Sequence, residues 1–364
     1  IETWLKVNGF PQVTYEMVAA HPSYDAMWQT VNLEERPERV QVPMVHSGGW
    51  YDCFAQGTLN AFEALQHRGG EGAKGNQVLV FGPWVHGLRT AGEISFPPQA
   101  KEHPLKGLER AFFDHYLRGK PTPLEQVAPV NYYVMGDCDD LSAPGNEWRQ
   151  AEDWPVPAMP VAYYLHRDRA LSPDKSIEGK ASLSYDFDPA NPVPTVGGAN
   201  LVLSKGPMDQ RKVESRPDVL LFQTQPLGGP MEVTGRVTAR LWVSSSAPDT
   251  DFTAKLTDVY PDGRSMILCD GILRARYRNS VATPELMEPG KVYEVAIDLW
   301  STSVVINKGH RIRLAISSSN YPRFEVNPNT GEPGIRPDNP KVAHNTVHLD
   351  AEHPSHVILP LVPR

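Results

Sequence analysis

The sequence predicts a chain of two unlike parts, an α/β segment followed by an all-β sandwich, and three observations carry that reading. Its 364 residues amount to roughly two domains at ~100–200 residues each. Before residue 120, two apolar strand-like runs each lead into a helical pattern. Beyond about residue 127 the apolar spacing changes to the two-residue alternation of half-buried strands.

Taken in order, residues 1–40 are polar and aromatic, with weak helical patterns around Tyr15–Ala20 and Tyr24–Val31. His21-Pro22 divides them, because a residue preceding proline is pushed out of the helical region. From Val40, VQVPMVHSGG reads as a strand ending in Gly48-Gly49, and TLNAFEALQHRGG places Leu59, Phe62 and Leu65 on one helical face before a glycine stop. QVLVFGPW reads as a second, buried strand through Val78 and Val80. A Gly- and Pro-rich loop then runs through Pro98, and a helix from about Pro104 to Leu117 carries Leu108, Phe112 and Tyr116. Alternating units of this kind imply a parallel sheet covered by helices.

After KPTPLEQVAP the helical patterns stop. Val237, Ala239, Leu241 and Val243 alternate with Thr238 and Arg240, and Tyr293, Val295, Ile297 and Leu299 repeat the pattern, as do Ile312, Leu314 and Ile316. PDG, EPG and NKG supply turns between them, so residues 127–364 read as a β-sandwich of jelly-roll type, with the boundary near 120–128. The 28 Gly and 35 Pro fit such a turn-rich architecture.

Composition narrows the partners. Lys+Arg of 35 against Asp+Glu of 43 gives −8 without a run of like charge, so neither nucleic acid nor an anionic membrane surface is expected to bind. The apolar runs fall short of the ~18 residues a bilayer span needs. Cys53, Cys138 and Cys269 form no CxxC pair and are odd in number, which encodes neither a disulfide framework nor a zinc ribbon. The opening IETWLKVNGF has no initiator Met and no signal-peptide shape, and reads as a cut end; no compartment is assigned.

Two ionisable residues fall just past predicted strand ends, where functional groups of α/β sheets collect: Asp52 and His86. One helix separates their strands, so adjacent parallel pairing would bring both loops to one rim. That suits a couple in which the carboxylate holds one ring nitrogen and leaves the other as a base. The plainer alternative is an Asp in a turn and a His after a strand. No G-x-S-x-G elbow is present. Ser47 precedes the Gly-Gly pair and reads as a turn residue, and Cys53 lacks the helix N-terminus or cation that would make it a thiolate. Trp50 and Trp84 flank the couple as candidates to line a substrate cavity, although a Trp beside a tight Gly or Pro turn more often packs beneath the loop, and that reading is favoured. His46 reads as a packed strand residue. Asp249, Asp251 and Asp258 lack calcium-loop spacing and read as turn and strand-end groups, so neither metal nor cofactor is expected.

HPSYDAMW at 21–28, VPMVHSGGWYDCF at 42–54, FGPWVHG at 81–87, GPMDQRKVESRPDVLLFQT at 206–224 and DTDFTAKLTDVYPDGRS at 249–265 resemble the cocaine-esterase (CocE/NonD) and X-Pro dipeptidyl-peptidase family of serine hydrolases, over essentially the whole chain. The resemblance implies an α/β-hydrolase domain interrupted by a helical cap and followed by a jelly-roll sandwich of galactose-binding-like type. On that layout residues 1–40 end the cap region, 41–126 are the C-terminal part of the α/β-hydrolase domain, and 127–364 are the sandwich. The GWYD aspartate matches Asp52 and the GPWxH histidine matches His86, as members of a Ser-His-Asp triad. Phe54 matches a position that lines the acyl pocket in the esterase branch. The serine, and the tyrosine that shares its oxyanion hole, are expected upstream of this chain.

The carboxylates that bind a substrate ammonium in the amino-acid ester hydrolase branch are missing, since Cys53, Phe54 and Ala55 follow Asp52. The expected function is hydrolysis of an ester or amide, acyl or X-Pro dipeptidyl, with His86 passing the proton and Asp52 fixing its tautomer. The expected partners are a small-molecule ester or amide or a short peptide as substrate, and the upstream hydrolase segment of the same protein. Without that segment the chain is expected to be inactive. The rival reading is a non-catalytic sandwich module carrying a remnant hydrolase segment. A metal-dependent hydrolase ranks third, for want of a His/carboxylate cluster in the sequence.

Overall fold

A computed structural model describes residues 12–332 and 339–363. Two short helices, α1 (Gln12–Ala20) and α2 (Ala26–Val31), lie on either side of His21-Pro22. Asp25 caps α2 by accepting the Met27 N–H. Then come β1 (Met44–Tyr51), α3 (Ala55–Arg68) and β2 (Gln77–Val85). β1 pairs with β2 in parallel from Met44↔Gln77 to Tyr51↔Val85. Every residue of β2 is buried, as a parallel strand covered on both faces requires, and α3 closes one face with Leu59, Phe62 and Leu65. The two strands approach so closely that a Cβ on Gly49 would lie 2.2 Å from the Trp84 carbonyl oxygen, so only glycine fits there. α4 (Leu108–Arg118) follows, buried through Leu108 and Phe112.

The first sheet does not end where the spacing of apolar residues places its boundary. β3 (Val130–Val134) pairs in parallel with β2, and β4 (Glu147–Ala151) pairs antiparallel with β3, giving the order β1-β2-β3-β4. By hydrogen bonding the first sheet therefore runs to Ala151, past the expected boundary near 120–128. All five residues of β3 are buried, so its composition matches a sandwich strand, and only its non-local pairing assigns it to this sheet.

The remaining strands are β5 (Met159–Leu165), β6 (Leu171–Ser172), β7 (Ser182–Phe187), β8 (Leu220–Gln223), β9 (Met231–Ser245), β10 (Asp251–Val259), β11 (Ser265–Arg274), β12 (Tyr293–Ile306), β13 (Arg311–Ser317), β14 (Ala343–His348) and β15 (His356–Leu361). A short helix, α5 (Arg211–Glu214), lies between β7 and β8. The strands form two antiparallel sheets, β11-β10-β13-β8 and β6-β5-β15-β9-β14-β7, with β12 added along β9. The alternation expected of β9 is seen: Val237, Ala239, Leu241 and Val243 are buried while Arg236 and Arg240 face outward.

One apolar core runs through both units, from Trp50, Phe81 and Tyr133 to Leu241, Phe252 and Ile297. Backbone bonds also cross between them: the Met135 N–H donates to Ser303 O, and the Val305 N–H donates to Met135 O. No helix among the described residues is long and apolar enough to cross a membrane.

Candidate active site

Asp52 and His86 meet at the rim of the first sheet. The turn leaving β1 closes when the Asp52 N–H donates to Gly49 O, and the Asp52 carbonyl then accepts the Ala55 N–H at the start of α3. The Asp52 side chain spends Oδ1 on the Phe54 N–H at 2.9 Å, so Oδ2 is left to face Nδ1 of His86 at 3.3 Å. His86 is held by the turn leaving β2, where the Val85 N–H donates to Arg89 O and Gly87 takes a φ of +90°. The contact is slightly longer than the ~2.6–3.2 Å of a tight proton-transfer pair, a slackness such contacts commonly lose only when a substrate arrives.

Burial divides the two groups. The Asp52 side chain is 9% exposed and that of His86 is 49% exposed, so a buried carboxylate orients an imidazole that opens to solvent. With Nδ1 turned to Asp52, Nε2 lies on the far side of the ring, and among the described residues no hydrogen bond reaches it. Phe54 stands beside it, 59% exposed, its ring edge-on to the imidazole with centroids 5.5 Å apart.

Trp50 and Trp84, candidates to line a substrate cavity, take instead the packing role favoured for a Trp beside a tight turn. Both are buried in the core. The Trp50 indole N–H donates to Tyr133 O and the Trp84 N–H donates to Ala100 O, so each ring carries its loop from beneath with its only donor satisfied. Ser47 lies within β1, upstream of the turn it was expected to form. His46 is packed edge-on to Phe62 and hydrogen-bonded to Gln77, and burial lowers its pKa, which is the behaviour of a structural histidine. Asp249 and Asp251 are buried against Arg276 and Arg274, and Asp258 against His310, so these carboxylates are spent on ion pairs.

Two features of the site were not visible in the sequence. Cys53, read there as a bystander, brings its sulfur within 4.8 Å of donor atoms of both Asp52 and His86. Burial and the Asp52 charge push its thiol up to about 11, so it is not a standing thiolate. Beside Cys53 opens a cavity of about 470 Å³, walled from the sandwich by Leu201, Val202, Trp300, Tyr321, Arg323 and Phe324. Trp300 sits there at a bulge in β12 with φ +68°, a conformation a bulky residue rarely adopts. The Arg323 guanidinium lies 5.3 Å from its ring and is anchored on Asp270. The residue type at position 300 carries no signal of that geometry.

Residues 3–88 match the family model of X-Pro dipeptidyl-peptidase (S15 family), and residues 124–358 match that of the X-Pro dipeptidyl-peptidase C-terminal non-catalytic domain. The second match takes in β3 and β4, which by hydrogen bonding belong to the first sheet. The chain is 41% identical to a cocaine esterase of Rhodococcus sp. (strain MB1 Bresler), over 96% of this chain and 61% of that protein. Among solved structures, an aminopeptidase from the marine sediment archaeon Thaumarchaeota archaeon superposes with a TM-score of 0.82 at 30% identity, over 96% of this chain and 60% of that one. An α-amino acid ester hydrolase superposes with a TM-score of 0.82 at 27% identity, over 99% and 62%. The chain thus spans about three fifths of the length of each of these three.

Proposed function

Because the chain belongs to the family of cocaine esterase and X-Pro dipeptidyl-peptidase, we propose that it carries the acid–base half of a serine hydrolase acting on carboxylic esters. The observation that carries this is the orientation of His86, with Nδ1 on the buried Asp52 carboxylate and Nε2 on the open side of the ring. Asp52 holds the neutral imidazole in the tautomer that leaves Nε2 as the base. A serine hydroxyl from a segment preceding these residues attacks the ester carbonyl and gives its proton to Nε2. His86 returns that proton to the departing alkoxide, leaving an acyl-serine. Water then repeats the transfer and releases the carboxylic acid.

Esters are favoured over amides on two counts. The cocaine esterase match reaches 41% identity, and the residues after Asp52 are Cys53, Phe54 and Ala55, which offer no carboxylate to a substrate ammonium. Phe54, exposed at the edge of His86, forms part of the acyl pocket. On this reading α1 and α2 end a cap, and the sandwich is a galactose-binding-like jelly roll.

The test is labelling of the full-length protein with a fluorophosphonate. The wild type labels on one serine, and His86→Ala abolishes the labelling. The chain of residues 1–364 by itself does not label. Stoichiometric labelling of a serine within 1–364 overturns this placement of the nucleophile.

A further inference from the structure

Asp52, Cys53 and His86 offer one oxygen, one sulfur and one nitrogen, and these donor atoms all lie within 4.8 Å of one another. The carboxylate and the imidazole come from turns fixed at the ends of two paired strands, so two of the three donors are held in place. The 3.3 Å between Oδ2 and Nδ1 is long for a hydrogen bond to an ionised carboxylate, usually ~2.7–2.9 Å. It equals the edge of a tetrahedron with legs of ~2.0–2.1 Å, the bond lengths of zinc to oxygen and nitrogen. A zinc–sulfur leg of ~2.3 Å asks the third donor to stand about 3.5 Å from the other two, so a shift of Cys53 on the order of 1 Å completes three corners.

The fourth corner has a route in, because Cys53 borders the cavity of about 470 Å³ between rim and sandwich. Charge balances as well. A carboxylate, a thiolate and a neutral imidazole neutralise a divalent cation, so a half-buried complex carries no net charge. Sulfur and nitrogen donors select against magnesium and calcium, which take oxygen ligands, and suit zinc and its thiophilic neighbours.

We propose that Asp52, Cys53 and His86 form an inhibitory site for zinc or a similar thiophilic divalent cation. The metal bonds to Oδ2, Sγ and Nδ1, the thiol proton leaves to solvent, and the hydrogen bond between Asp52 and His86 is replaced by two bonds to the metal. The inhibitory consequence rests on the hydrolase function proposed above, since a metal-bound Nδ1 deprives the imidazole of the carboxylate that holds it as a base. Metal binding itself does not rest on it.

The two are separated by two measurements on the full-length protein. Cobalt(II) titration reads binding directly: the wild type develops a thiolate-to-cobalt charge-transfer band that saturates at one equivalent, and zinc displaces it. Cys53→Ala and Cys53→Ser lose the band, and zinc affinity measured against a chromogenic chelator falls by ~100-fold or more, beyond the 10–100-fold typical of a ligand's supporting partners. Circular dichroism checks that both variants are folded. In the second measurement, micromolar zinc inhibits ester hydrolysis by the wild type, and each Cys53 variant loses that sensitivity relative to its own metal-free rate. Absence of the band, or zinc binding that is unchanged in both Cys53 variants, overturns the site. Inhibition of equal strength in wild type and variants overturns the regulatory role. A band that appears while His86→Ala keeps full esterase activity leaves the metal site standing and removes the proposed catalytic role of His86.

Discussion

Asp52 divides its carboxylate between a backbone N–H and a ring nitrogen, and substitution can separate those duties. Asn at position 52 keeps an oxygen for the Phe54 N–H but presents an amide N–H to His86, which favours the tautomer protonated at Nε2. On the proposed function, Asp52→Asn in the full-length protein is expected to lower kcat by roughly 10⁴ with little change in KM, as in established triads. Steady-state hydrolysis of an activated ester reads this, and a fall of less than tenfold would remove Asp52 from the mechanism. Phe54→Ala belongs to a different class, since that side chain is 59% exposed and its ring lies edge-on to that of His86. Stability should stay within about 0.5 kcal/mol. The ratio of kcat/KM for a benzoyl ester over an acetyl ester should fall about tenfold, and an unchanged ratio would take Phe54 out of the acyl pocket. At this scale Asp52 and His86 were readable because strand ends in a parallel sheet have predictable neighbours. The packing of Trp50 and Trp84 beneath their loops was legible from the adjacent Gly and Pro turns, but their partners were not, because the carbonyls of Tyr133 and Ala100 lie in other elements.

Three parts of the chain meet at a buried histidine that local sequence does not reveal. His310, in the turn between β12 and β13, bonds through Nδ1 to Asp258 of β10 at 2.8 Å, and its Nε2 lies 3.3 Å from Asp137 in the connection between β3 and β4. The Tyr260 ring packs on it at 4.3 Å, and Asn307 donates to the same Asp137 oxygen. Burial pulls the His310 pKa down, but the Asp258 hydrogen bond and the charges of Asp258 and Asp137 outweigh it, so the folded pKa is raised. A folded pKa above the unfolded one contributes stability that is fully present below about pH 6.5 and is lost as pH rises through the folded value. Thermal unfolding from pH 5.5 to 9 should therefore show a fall in Tm on the alkaline side, and His310→Gln should flatten that fall. At pH 6, His310→Ala should cost about 3–5 kcal/mol, because it removes the cation held between the buried carboxylates of Asp258 and Asp137. An alkaline slope equal in wild type and His310→Gln would sink this account. The two strands and two helices that frame the rim were legible from period and punctuation. The membership of β3 in the first sheet was not, since a fully buried five-residue run looks the same in either sheet and its partner, β2, is chosen by tertiary pairing.

For the whole molecule, the question is whether the α/β unit and the sandwich are two folding units or one. Their apolar interiors are continuous, with Trp50 and Phe81 in one buried cluster with Leu241 and Phe252. The backbone bonds of Met135 to Ser303 and Val305 extend one unit's hydrogen bonding into the other. Gln56 of α3, itself buried, accepts both the Ser301 backbone N–H at 2.8 Å and the Ser301 hydroxyl at 2.9 Å. Neither unit can open without exposing apolar surface and orphaning these groups, so unfolding should be cooperative across the boundary. Amides in β2 and β9 should then exchange hydrogen with the same free energy, and denaturant curves from near- and far-ultraviolet circular dichroism should coincide. Gln56→Ala leaves the Ser301 N–H buried without an acceptor, which costs about 1–3 kcal/mol. That loss should lower the exchange free energy of β2 and β9 by the same amount, because a defect at a shared boundary weakens one cooperative unit as a whole. If β2 weakens while β9 keeps its protection, the sandwich folds independently, and the continuous core contributes to docking of two units but not to a common fold.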